Sequence, residues 1–377
     1  MRKVLIVQTS IRQYRKEFYE QLRQTLLKND IELILITSRV NGAEALKNDE
    51  VEISWSYIVK NRTFKVIKLE FVWQTYLGFI KDVDLIIVEN ANKHLMNYFL
   101  AFYRHFAKFK FAYWGHGRNF KENTYSLKNR FKYFFATKVD WWFAYTSGVK
   151  QFLVERKFNP RKITVVQNAI DTSELRKSYL EIKDSEINHL KETLSISGDN
   201  VGIFCGAMYP ERNISFVIEV CKIVQKKIPD FHVIFIGSGI DAVKVQKAAR
   251  YNNWIHYIGS VFGLERVKYF KISNIQIMPF SVGLGVLDSF ATETPLITIE
   301  NAFHGPEIDY LENGVNGIIT KNNFQEYSSA IINVFKNDRY KELKEGCKFS
   351  ARKYTIQKMV NNFKQGIIFC LYGFQPK

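Results

Sequence analysis

Short apolar runs typical of buried β-strands recur along this 377-residue chain, separated by stretches whose apolar residues repeat with a helical period. Strands that alternate with helices pair in parallel, because each helix carries the chain back to the same end of the sheet. The pattern therefore predicts an α/β protein with doubly wound parallel sheets. The runs span residues 3–7, 31–37, 83–88, 110–114, 140–145, 163–166, 201–205, 232–236, 255–258, 275–278 and 296–298.

Length and composition indicate two globular domains. A chain of 377 residues exceeds one ordinary hydrophobic core, and a hydrophobic content of 46% favours folding over disorder. The polar stretch 173–200 lacks a strong apolar period, so we expect it to link the two domains.

The four cysteines are scattered without paired spacing, which argues against a metal site or a disulfide framework and favours a reducing cytoplasm. The apolar run after Met-Arg-Lys is too short for a signal peptide and is predicted to be the first strand. No run approaches the roughly 18 apolar residues of a membrane-spanning helix. We therefore expect a cytoplasmic protein that is soluble or peripheral to a membrane.

The net charge of +17 is concentrated in the first half of the chain. Residues 1–170 contain 29 Lys and Arg against 15 Asp and Glu, whereas the remainder contains 25 against 22. A basic half joined to a nearly neutral half indicates that the first domain faces a polyanion.

The densest basic segment, residues 102–138, interleaves basic and aromatic residues. This pattern fits an anionic membrane surface or a nucleic acid, and we favour the membrane because no nucleic-acid-binding motif is present. For any single residue the simpler interpretation, an aromatic core beneath a solvated charged face, is the stronger one. The basic residues are Arg104, Lys108, Lys110, Arg118, Lys121, Lys128, Arg130, Lys132 and Lys138, and the aromatic ones are Phe102, Tyr103, Phe106, Phe109, Phe131, Tyr133, Phe134 and Phe135.

Two strand ends in the first half carry candidate binding residues. Arg12, Tyr14 and Arg15 follow the first predicted strand, at the end where doubly wound sheets bind ligands. A later strand leads into Gly-His-Gly-Arg-Asn at residues 115–119, where the glycines would hold the imidazole of His116 on an exposed, tightly turned backbone. His116 could instead only brace this loop.

A buried strand, a glycine-containing turn, a helix and a second strand follow one another between residues 275 and 298. Gly283 and Gly285 are predicted to let the backbone turn tightly, so that a helix begins near Leu284 with unpaired amides. Bare N–H groups and the helix dipole favour a phosphate there. Asp288, one turn into the helix, is placed to accept hydrogen bonds from a sugar hydroxyl. The pattern predicts a site for a phosphorylated, sugar-bearing ligand.

The same stretch resembles the signature of a known family. Gly283-Leu284-x-x-Leu287-Asp288-x-x-Ala291-x-x-Thr294-Pro295-Leu296-Ile297 is similar to the nucleotide-sugar motif of family-4 glycosyltransferases, which are retaining enzymes of GT-B fold. The resemblance covers nearly the whole chain and is strongest over residues 201–320. Further similarities, in the family's order, are Asn168-Ala169-Ile170-Asp171, Gly206 with Arg212, Gly259-Ser260-Val261 and Pro306-Glu307.

The resemblance implies two Rossmann-like domains that face each other across a cleft. Residues 1–175 would form an acceptor-binding domain, and residues 176–354 would form the nucleotide-sugar-binding domain. The C-terminal helix, residues 355–377, would cross back to the first domain.

The resemblance also implies residue roles. The diphosphate of the donor would be held by Arg212 and the glycine turn, its ribose by Asp288 and its sugar by His116, with Glu307 bracing the sugar site. No metal or other cofactor is implied. The catalytic candidates are His116, Arg212 and Glu307; the donor-binding candidates are Gly206, Arg212, Gly259, Ser260, Val261, Ser281, Gly283, Leu284 and Asp288; the acceptor candidates, taken from the strand ends of the first half, are Arg12, Tyr14, Arg15, Arg118 and Asn119.

Two positions depart from the family pattern. Phe280 stands where the first of two Glu residues occurs, so the usual carboxylate contact to the donor sugar is missing. Ala207 stands where an Arg binds the diphosphate. A second cation would then have to come from Arg12, Arg15 or Arg118 across the cleft.

The predicted function is the transfer of a hexosyl group, with retention and without a metal, from a nucleoside diphosphate sugar to a glycan acceptor. The acceptor would be lipid-linked, as in O-antigen or capsule polysaccharide synthesis at the inner face of the membrane, with no nucleic acid as a partner. Two alternatives stay open. One is a sugar-nucleotide 2-epimerase of the same fold, which relies on cleft carboxylates and histidines that this chain mostly lacks. The other is a non-catalytic module that binds an anionic polymer. No motif reveals the donor sugar, its base or the linkage.

Overall fold

The structure, a computed structural model, describes residues 1–39, 49–66, 69–117 and 133–373. The chain divides into two compact units. The first unit comprises Met1–Asp171 and Ile356–Lys377, and the second unit comprises Thr172–Thr355.

The first unit is built on a seven-stranded sheet with an additional two-stranded antiparallel hairpin. Its strands are β1 (Arg2–Val7), β2 (Ile31–Thr37), β3 (Tyr57–Ile58), β4 (Asn61–Val66), β5 (Leu69–Gln74), β6 (Leu85–Glu89), β7 (Lys110–Gly115), β8 (Trp141–Ala144) and β9 (Ile163–Val165). The hairpin is β4–β5, and the sheet has the parallel order β3-β2-β1-β6-β7-β8-β9. Residues 4–7 of β1 and 85–88 of β6 are continuously apolar and buried, as is typical of central strands in a parallel sheet with both faces covered.

The described helices of the first unit include the C-terminal one. They are α1 (Lys16–Leu27), α2 (Leu95–Tyr103), α3 (Ser147–Glu155) and, at the end of the chain, the helix Ile356–Tyr372. In this last helix Phe363 stacks on Phe143 of β8 with ring centroids 4.4 Å apart. The helix therefore belongs to the core of the first unit, although the whole second unit lies between it and the rest of the first unit in the sequence.

The second unit has a six-stranded parallel sheet. Its strands are β10 (Val201–Cys205), β11 (His232–Ile236), β12 (Ile255–Gly259), β13 (Ile275–Ile277), β14 (Leu296–Ile299) and β15 (Gly317–Thr320), in the order β12-β11-β10-β13-β14-β15. Its described helices are α4 (Ser173–Glu181), α5 (Asp184–Thr193), α6 (Ile214–Lys227), α7 (Ala242–Tyr251), α8 (Val267–Lys271), α9 (Gly285–Ala291), α10 (Phe324–Lys336) and α11 (Arg339–Lys353); the C-terminal helix of the first unit is then α12. Two doubly wound parallel sheets confirm the predicted fold class.

The expected linker over residues 173–200 is wrong, because this stretch folds into α4 and α5 of the second unit. The helices bury only a few side chains each: Leu175 and Tyr179 in α4, and Leu190 in α5. A helix that contacts the core with so narrow an apolar stripe shows little periodicity in sequence. The tertiary contact, rather than the pattern, holds these helices.

In each sheet the chain adds strands outwards from one strand, first towards one edge of the sheet and then towards the other. In the first unit β1 lies between β2 and β6, and in the second unit β10 lies between β11 and β13. The carboxyl ends of β1 with β6, and of β10 with β13, are therefore the topological switch points, where open α/β sheets bind ligands.

All four cysteines are free thiols. Among the helices that the structure describes, none is long and apolar enough to cross a bilayer.

Candidate active site

Arg212 lies at the switch point of the second unit, on a single 3-10 turn, Pro210–Arg212, that follows β10. Its Nη1 donates to the carbonyl oxygen of Phe280 at 3.2 Å and lies 3.1 Å from the sulfur of Met278. Burial lowers the pKa of the guanidinium from its usual value. Within the described ranges no carboxylate forms an ion pair with Arg212, so this half-buried cation is suited to an anionic ligand.

The loop that leads to Arg212 is held by backbone packed against backbone. The amide of Gly206 donates to Ile236 of β11, and the amide of Met208 donates to Ser238. A Cβ placed on Gly237 would lie 2.0 Å from the carbonyl oxygen of Gly206. Glycine at 237 is thus required by close approach as well as by its φ of 135°.

The turn after β13 differs from the prediction in where its unusual backbone lies. Ser281 has a φ of 55°, whereas Gly283 and Gly285 are not in the left-handed region. Leu284 is the N-cap of α9, which has only seven residues. No described residue accepts a hydrogen bond from the amides of Gly283 and Leu284. These amides remain candidates for a phosphate, although so short a helix adds little dipole.

His304 clamps this turn. Its Nδ1 accepts a hydrogen bond from the amide of Val282 at 3.1 Å, and its Nε2 lies 2.7 Å from the carbonyl oxygen of Ile299. The carbonyl requires a proton on Nε2 and the amide requires a bare Nδ1, so the imidazole is the neutral tautomer. Burial, chiefly, lowers the pKa of His304, and Arg212 contributes in the same direction.

Glu307 lies beneath the same turn. It is buried in a 3-10 segment, Pro306–Tyr310, and its Oε2 would be 2.9 Å from a Cβ on Gly305 and 3.9 Å from one on Gly283. The small size of Gly305 leaves room for the carboxylate, whereas 3.9 Å at Gly283 is an ordinary van der Waals contact. Its predicted role in bracing a sugar remains a prediction.

Asp288 forms an ion pair that the sequence does not predict. Its Oδ2 accepts from Nη1 of Arg266 at 2.9 Å, and Arg266 follows β12 in a short 3-10 turn, Gly263–Arg266. Burial raises the pKa of Asp288, and the charge of Arg266 opposes that rise. The Arg266 guanidinium also contacts the thiol of Cys205, whose pKa burial raises to about 11.

The other donor-site candidates lie at the same edge of the second sheet. Gly259 ends β12 with a φ of 82°, and its carbonyl accepts from the amide of Gly237. Ser260 is exposed, and Val261 packs on the core cluster around Val201. Ser281 is half-buried, with its hydroxyl 3.5 Å from the carbonyl oxygen of Glu211.

The basic candidates after β1 are engaged inside the first unit. Arg15 is 7% exposed and donates to the side chain of Asn168. Its guanidinium lies over the rings of Tyr14, Trp114 and Tyr145, at 5.2, 5.3 and 5.7 Å from their centroids. Arg15 is therefore a structural cation, and the expectation that it lines a cleft as a phosphate ligand is not supported by its burial.

The neighbouring candidates differ in exposure. Arg12 pairs with Asp49, so its charge is largely compensated, whereas Tyr14 is exposed. His116 is exposed at the end of β7, and its imidazole stacks on Tyr145 at 5.5 Å between centroids. The glycines beside it have φ values of 155° and 64°, as a tight turn requires. Arg118 and Asn119 lie outside the described residues.

A polar cluster at the switch point of the first unit was not predicted. The hydroxyl of Thr9, after β1, donates to Oε2 of Glu89, at the end of β6, over 2.8 Å, and lies 3.2 Å from Nε2 of His94. Burial raises the pKa of Glu89 and lowers that of His94 to about 4. No motif marks these residues; only the position of Glu89 at a strand end could have indicated them.

The basic and aromatic segment 102–138 is partly core and partly surface. Phe109 is buried, whereas Phe102, Phe106 and Phe134 are 68%, 74% and 58% exposed. Lys138 lies 4.8 Å from the centroid of the Phe134 ring. The segment's members outside the described residues are Arg118, Lys121, Lys128, Arg130, Phe131 and Lys132.

Two of the site's residues escaped the sequence interpretation. His304 lies between the motif at 283–297 and Pro306-Glu307 and was assigned no role, and Arg266 belongs to no motif. In the described part of the chain, no three His, Cys, Asp or Glu residues are grouped so that they could hold a metal ion.

Part of the chain is similar in sequence to known glycosyltransferases. Residues 199–337 match the family model of the group 1 glycosyl transferases. The uncharacterized glycosyltransferase MJ1069 of Methanocaldococcus jannaschii is 23% identical over 348 residues, which cover 87% of this chain and 84% of the relative.

Solved structures share the fold over nearly the whole chain. A glycosyltransferase from Rickettsia africae superposes with a TM-score of 0.70 at 15% identity, over 99% of both chains. Anabaena HepE, crystallised with UDP, superposes with a TM-score of 0.69 at 12% identity, over 97% of this chain and 99% of that one. The chain therefore has the fold of GT-B glycosyltransferases, and its residues 199–337 match the family model of the group 1 glycosyl transferases.

Proposed function

We propose that this protein is a retaining hexosyltransferase that takes its sugar from a nucleoside diphosphate. The observation that carries the proposal is Arg212, a half-buried cation without a carboxylate partner among the described residues, beside the turn with the unpaired amides of Gly283 and Leu284. The group 1 domain and the UDP bound to HepE, a relative in fold, support a nucleotide sugar as donor. Retention rests on the resemblance of the motif at Gly283–Ile297 to retaining enzymes.

The proposed mechanism is electrostatic. As the bond between sugar and diphosphate breaks, negative charge collects on the leaving phosphate. Arg212 and the amides of Gly283 and Leu284 are fixed before the reaction, so they stabilise this charge without reorganising. His304 holds the turn in place through Val282. His116 would contact the donor sugar, and Glu307 would support the turn beneath it. The chemistry needs no metal ion or other cofactor in this proposal.

The first experiment is a thermal-shift screen with UDP, GDP and their common sugars. A ligand that binds only the folded state raises the midpoint, and at a hundred times its Kd it adds about 2.7 kcal/mol of stability. We expect one diphosphate to raise the midpoint and its sugar to be hydrolysed slowly when no acceptor is present. A flat panel from a protein with a clear unfolding transition would refute the proposal and favour a non-catalytic module.

The products distinguish transfer from epimerisation. A 2-epimerase would release a changed sugar without an acceptor, whereas the proposed enzyme would release the donor's own sugar. An NMR spectrum of the glycosyl product, recorded as it first forms, would also show its anomeric configuration. An inverted configuration would contradict retention but would not contradict the proposed donor site.

We further propose that the acceptor is a lipid-linked glycan in cell-surface polysaccharide synthesis, met by the first unit at the inner, cytoplasmic face of the membrane. The exposed rings of Phe102, Phe106 and Phe134, next to basic side chains, support this assignment.

Sedimentation with vesicles tests the membrane proposal. The wild type should pellet at low salt with vesicles containing about one third anionic lipid and should be released as salt rises. Replacement of Phe102 and Phe106 by Ser should weaken pelleting, whereas Phe349→Ser, at an equally exposed ring of the second unit, should not. A wild type that stays in the supernatant would contradict membrane association.

A further inference from the structure

Arg266 and Asp288 meet at the switch point of the second sheet. Asp288 lies in the first turn of α9, after β13, and Arg266 follows β12. Their Nη1 and Oδ2 atoms are 2.9 Å apart, and Arg266 also contacts Cys205 at the end of β10. The pair thus lies where the strand ends of a doubly wound sheet bind ligands.

The ion pair leaves hydrogen-bonding capacity unused. Oδ1 of Asp288 and Nε of Arg266 are both enclosed and have no hydrogen-bond partner among the residues described. Arginine and carboxylate commonly form two parallel bonds, so a single contact leaves one acceptor and one donor unmet. Hydroxyl groups can donate to the first and accept from the second, whereas a phosphate cannot donate. The pair is therefore complementary to hydroxyls.

Arg266 controls the charge and orientation of the carboxylate. The Asp288 side chain is only 13% exposed and that of Arg266 25% exposed. Burial raises the pKa of Asp288, and Arg266 lowers it, so the cation favours the ionised, accepting form. The terminal torsion of an aspartate is broad, so the carboxylate can adjust its orientation towards a ligand at little cost.

We infer that Arg266 is a positioning residue that presents the Asp288 carboxylate to the vicinal hydroxyls of a ribonucleoside. The inference rests on the proposed function, because it requires a nucleoside diphosphate bound by the second unit. It adds that discrimination between ribose and deoxyribose depends on a cation outside the motif.

The test compares the affinities of one nucleoside diphosphate, the UDP or GDP that stabilises the wild type, with those of its 2′-deoxy and 3′-deoxy forms. We expect the wild type to bind the ribonucleotide at least about tenfold more tightly than one deoxy form, as for a hydrogen bond to a charged group. Arg266→Met should lower the affinity for the ribonucleotide about tenfold and that for the deoxy forms much less, so the ratio of the two affinities falls towards one. Arg266→Lys should restore part of this ratio.

Controls separate positioning from a structural role. Arg250→Met removes an exposed cation from α7 and should leave all three affinities unchanged. If Arg266→Met weakens all three nucleotides equally, Arg266 only supports the fold and the inference is wrong. Should that variant not fold, Asp288→Asn, which keeps the shape and removes the charge, must also reduce the ratio. Binding of the diphosphate without any discrimination in the wild type would overturn the inference alone, whereas no binding at all would overturn the proposed function with it.

Discussion

The strand-end loops of the two units carry similar cations in opposite situations. In the first unit, Arg15 is buried, bonds to Asn168 and lies against three aromatic rings, while Arg12 is paired with a carboxylate. In the second unit, Arg212 donates to the carbonyl of Phe280 and has no carboxylate partner among the described residues.

The difference shows why position after a strand is not enough to identify a ligand-binding cation. A guanidinium enclosed by aromatic rings and an amide has its charge stabilised by the fold itself. A half-buried guanidinium without a counter-ion gains the most from an anion supplied by a ligand. The sequence predicted all three arginines as ligand contacts, and the structure favours Arg212.

The largest expected effect comes from Gly237, which supports the loop before Arg212. Gly237→Ala would place a Cβ 2.0 Å from the carbonyl oxygen of Gly206, so the second unit should lose about 3 kcal/mol or more of unfolding free energy. Urea denaturation measures the loss. Gly259→Ala is the matched control, because its φ is also positive but no atom lies within 4 Å, and it should cost only about 1–2 kcal/mol. Equal losses would mean that close packing is not the cause.

Arg15 should affect stability and not donor binding. Arg15→Met removes a cation from its aromatic surroundings and from Asn168, which should cost about 2–3 kcal/mol of unfolding free energy. The affinity of the folded variant for the nucleoside diphosphate should stay within about twofold of the wild type. A large loss of affinity at unchanged stability would reverse the comparison between Arg15 and Arg212.

Arg212 should show the opposite result. Arg212→Ala should lower the affinity for the nucleoside diphosphate by about tenfold to a hundredfold, which corresponds to the loss of a hydrogen bond to a charged group. It should change the unfolding free energy little. Titration calorimetry together with thermal unfolding separates the two quantities. Arg250→Ala, at an exposed cation of α7, should change neither. Unaltered affinity in Arg212→Ala would remove the main support for the proposed site.

The smallest expected effect is the pH dependence that His304 adds to the second unit. Its folded pKa lies below the unfolded value of about 6.5, so the unfolded chain binds the proton more tightly. The contribution of His304 to the unfolding free energy is present above pH 6.5 and is lost as pH falls from there towards the folded pKa. Protonation of Nδ1 then breaks the hydrogen bond from the Val282 amide. We expect a loss of about 1 kcal/mol.

His304→Gln isolates the contribution of His304, because other histidines with lowered pKa values titrate in the same pH range. His94 and His256, whose pKa values burial lowers to about 4, contribute to both proteins alike. Stability between pH 7 and 5 should therefore fall less steeply in the variant than in the wild type. Equal pH dependence of the unfolding free energy in the two proteins would contradict the stabilising role of the bond between Val282 and His304.

Much of the architecture was predictable from local pattern. The alternation of apolar runs with helical periods predicts two doubly wound sheets, because strand ends and helix faces are encoded over a few residues. The family resemblance at Gly206 and Arg212 also implied a cation after a strand, and the structure places Arg212 in the turn after β10. The linker over residues 173–200 was wrong, because α4 and α5 depend on contacts with distant segments.

The candidate site was predictable only in part. The motif indicated Gly283 and Gly285 as the turning residues, whereas Ser281 takes the left-handed conformation. Close packing instead restricts Gly305, where a Cβ would lie 3.3 Å from Cα of Gly283, whereas a Cβ on Gly283 would make only an ordinary contact at 3.9 Å and one on Gly285 would meet no atom within 4 Å. Such a requirement arises between residues far apart in sequence and leaves no periodic signal.

The sequence by itself determined the doubly wound fold class, eleven of the described strands in their order along the chain and the motif at the carboxyl end of β13, but not β3, the β4–β5 hairpin or β15. These follow from local hydrophobic patterning and turn chemistry. Only the tertiary structure decided which charges are compensated: Arg15 by an amide and aromatic rings, Asp288 by Arg266, and Arg212 by no carboxylate in the described part of the chain. The physical reason is that the effective charge of a buried group depends on neighbours brought together by folding, and those neighbours come from separate strand ends.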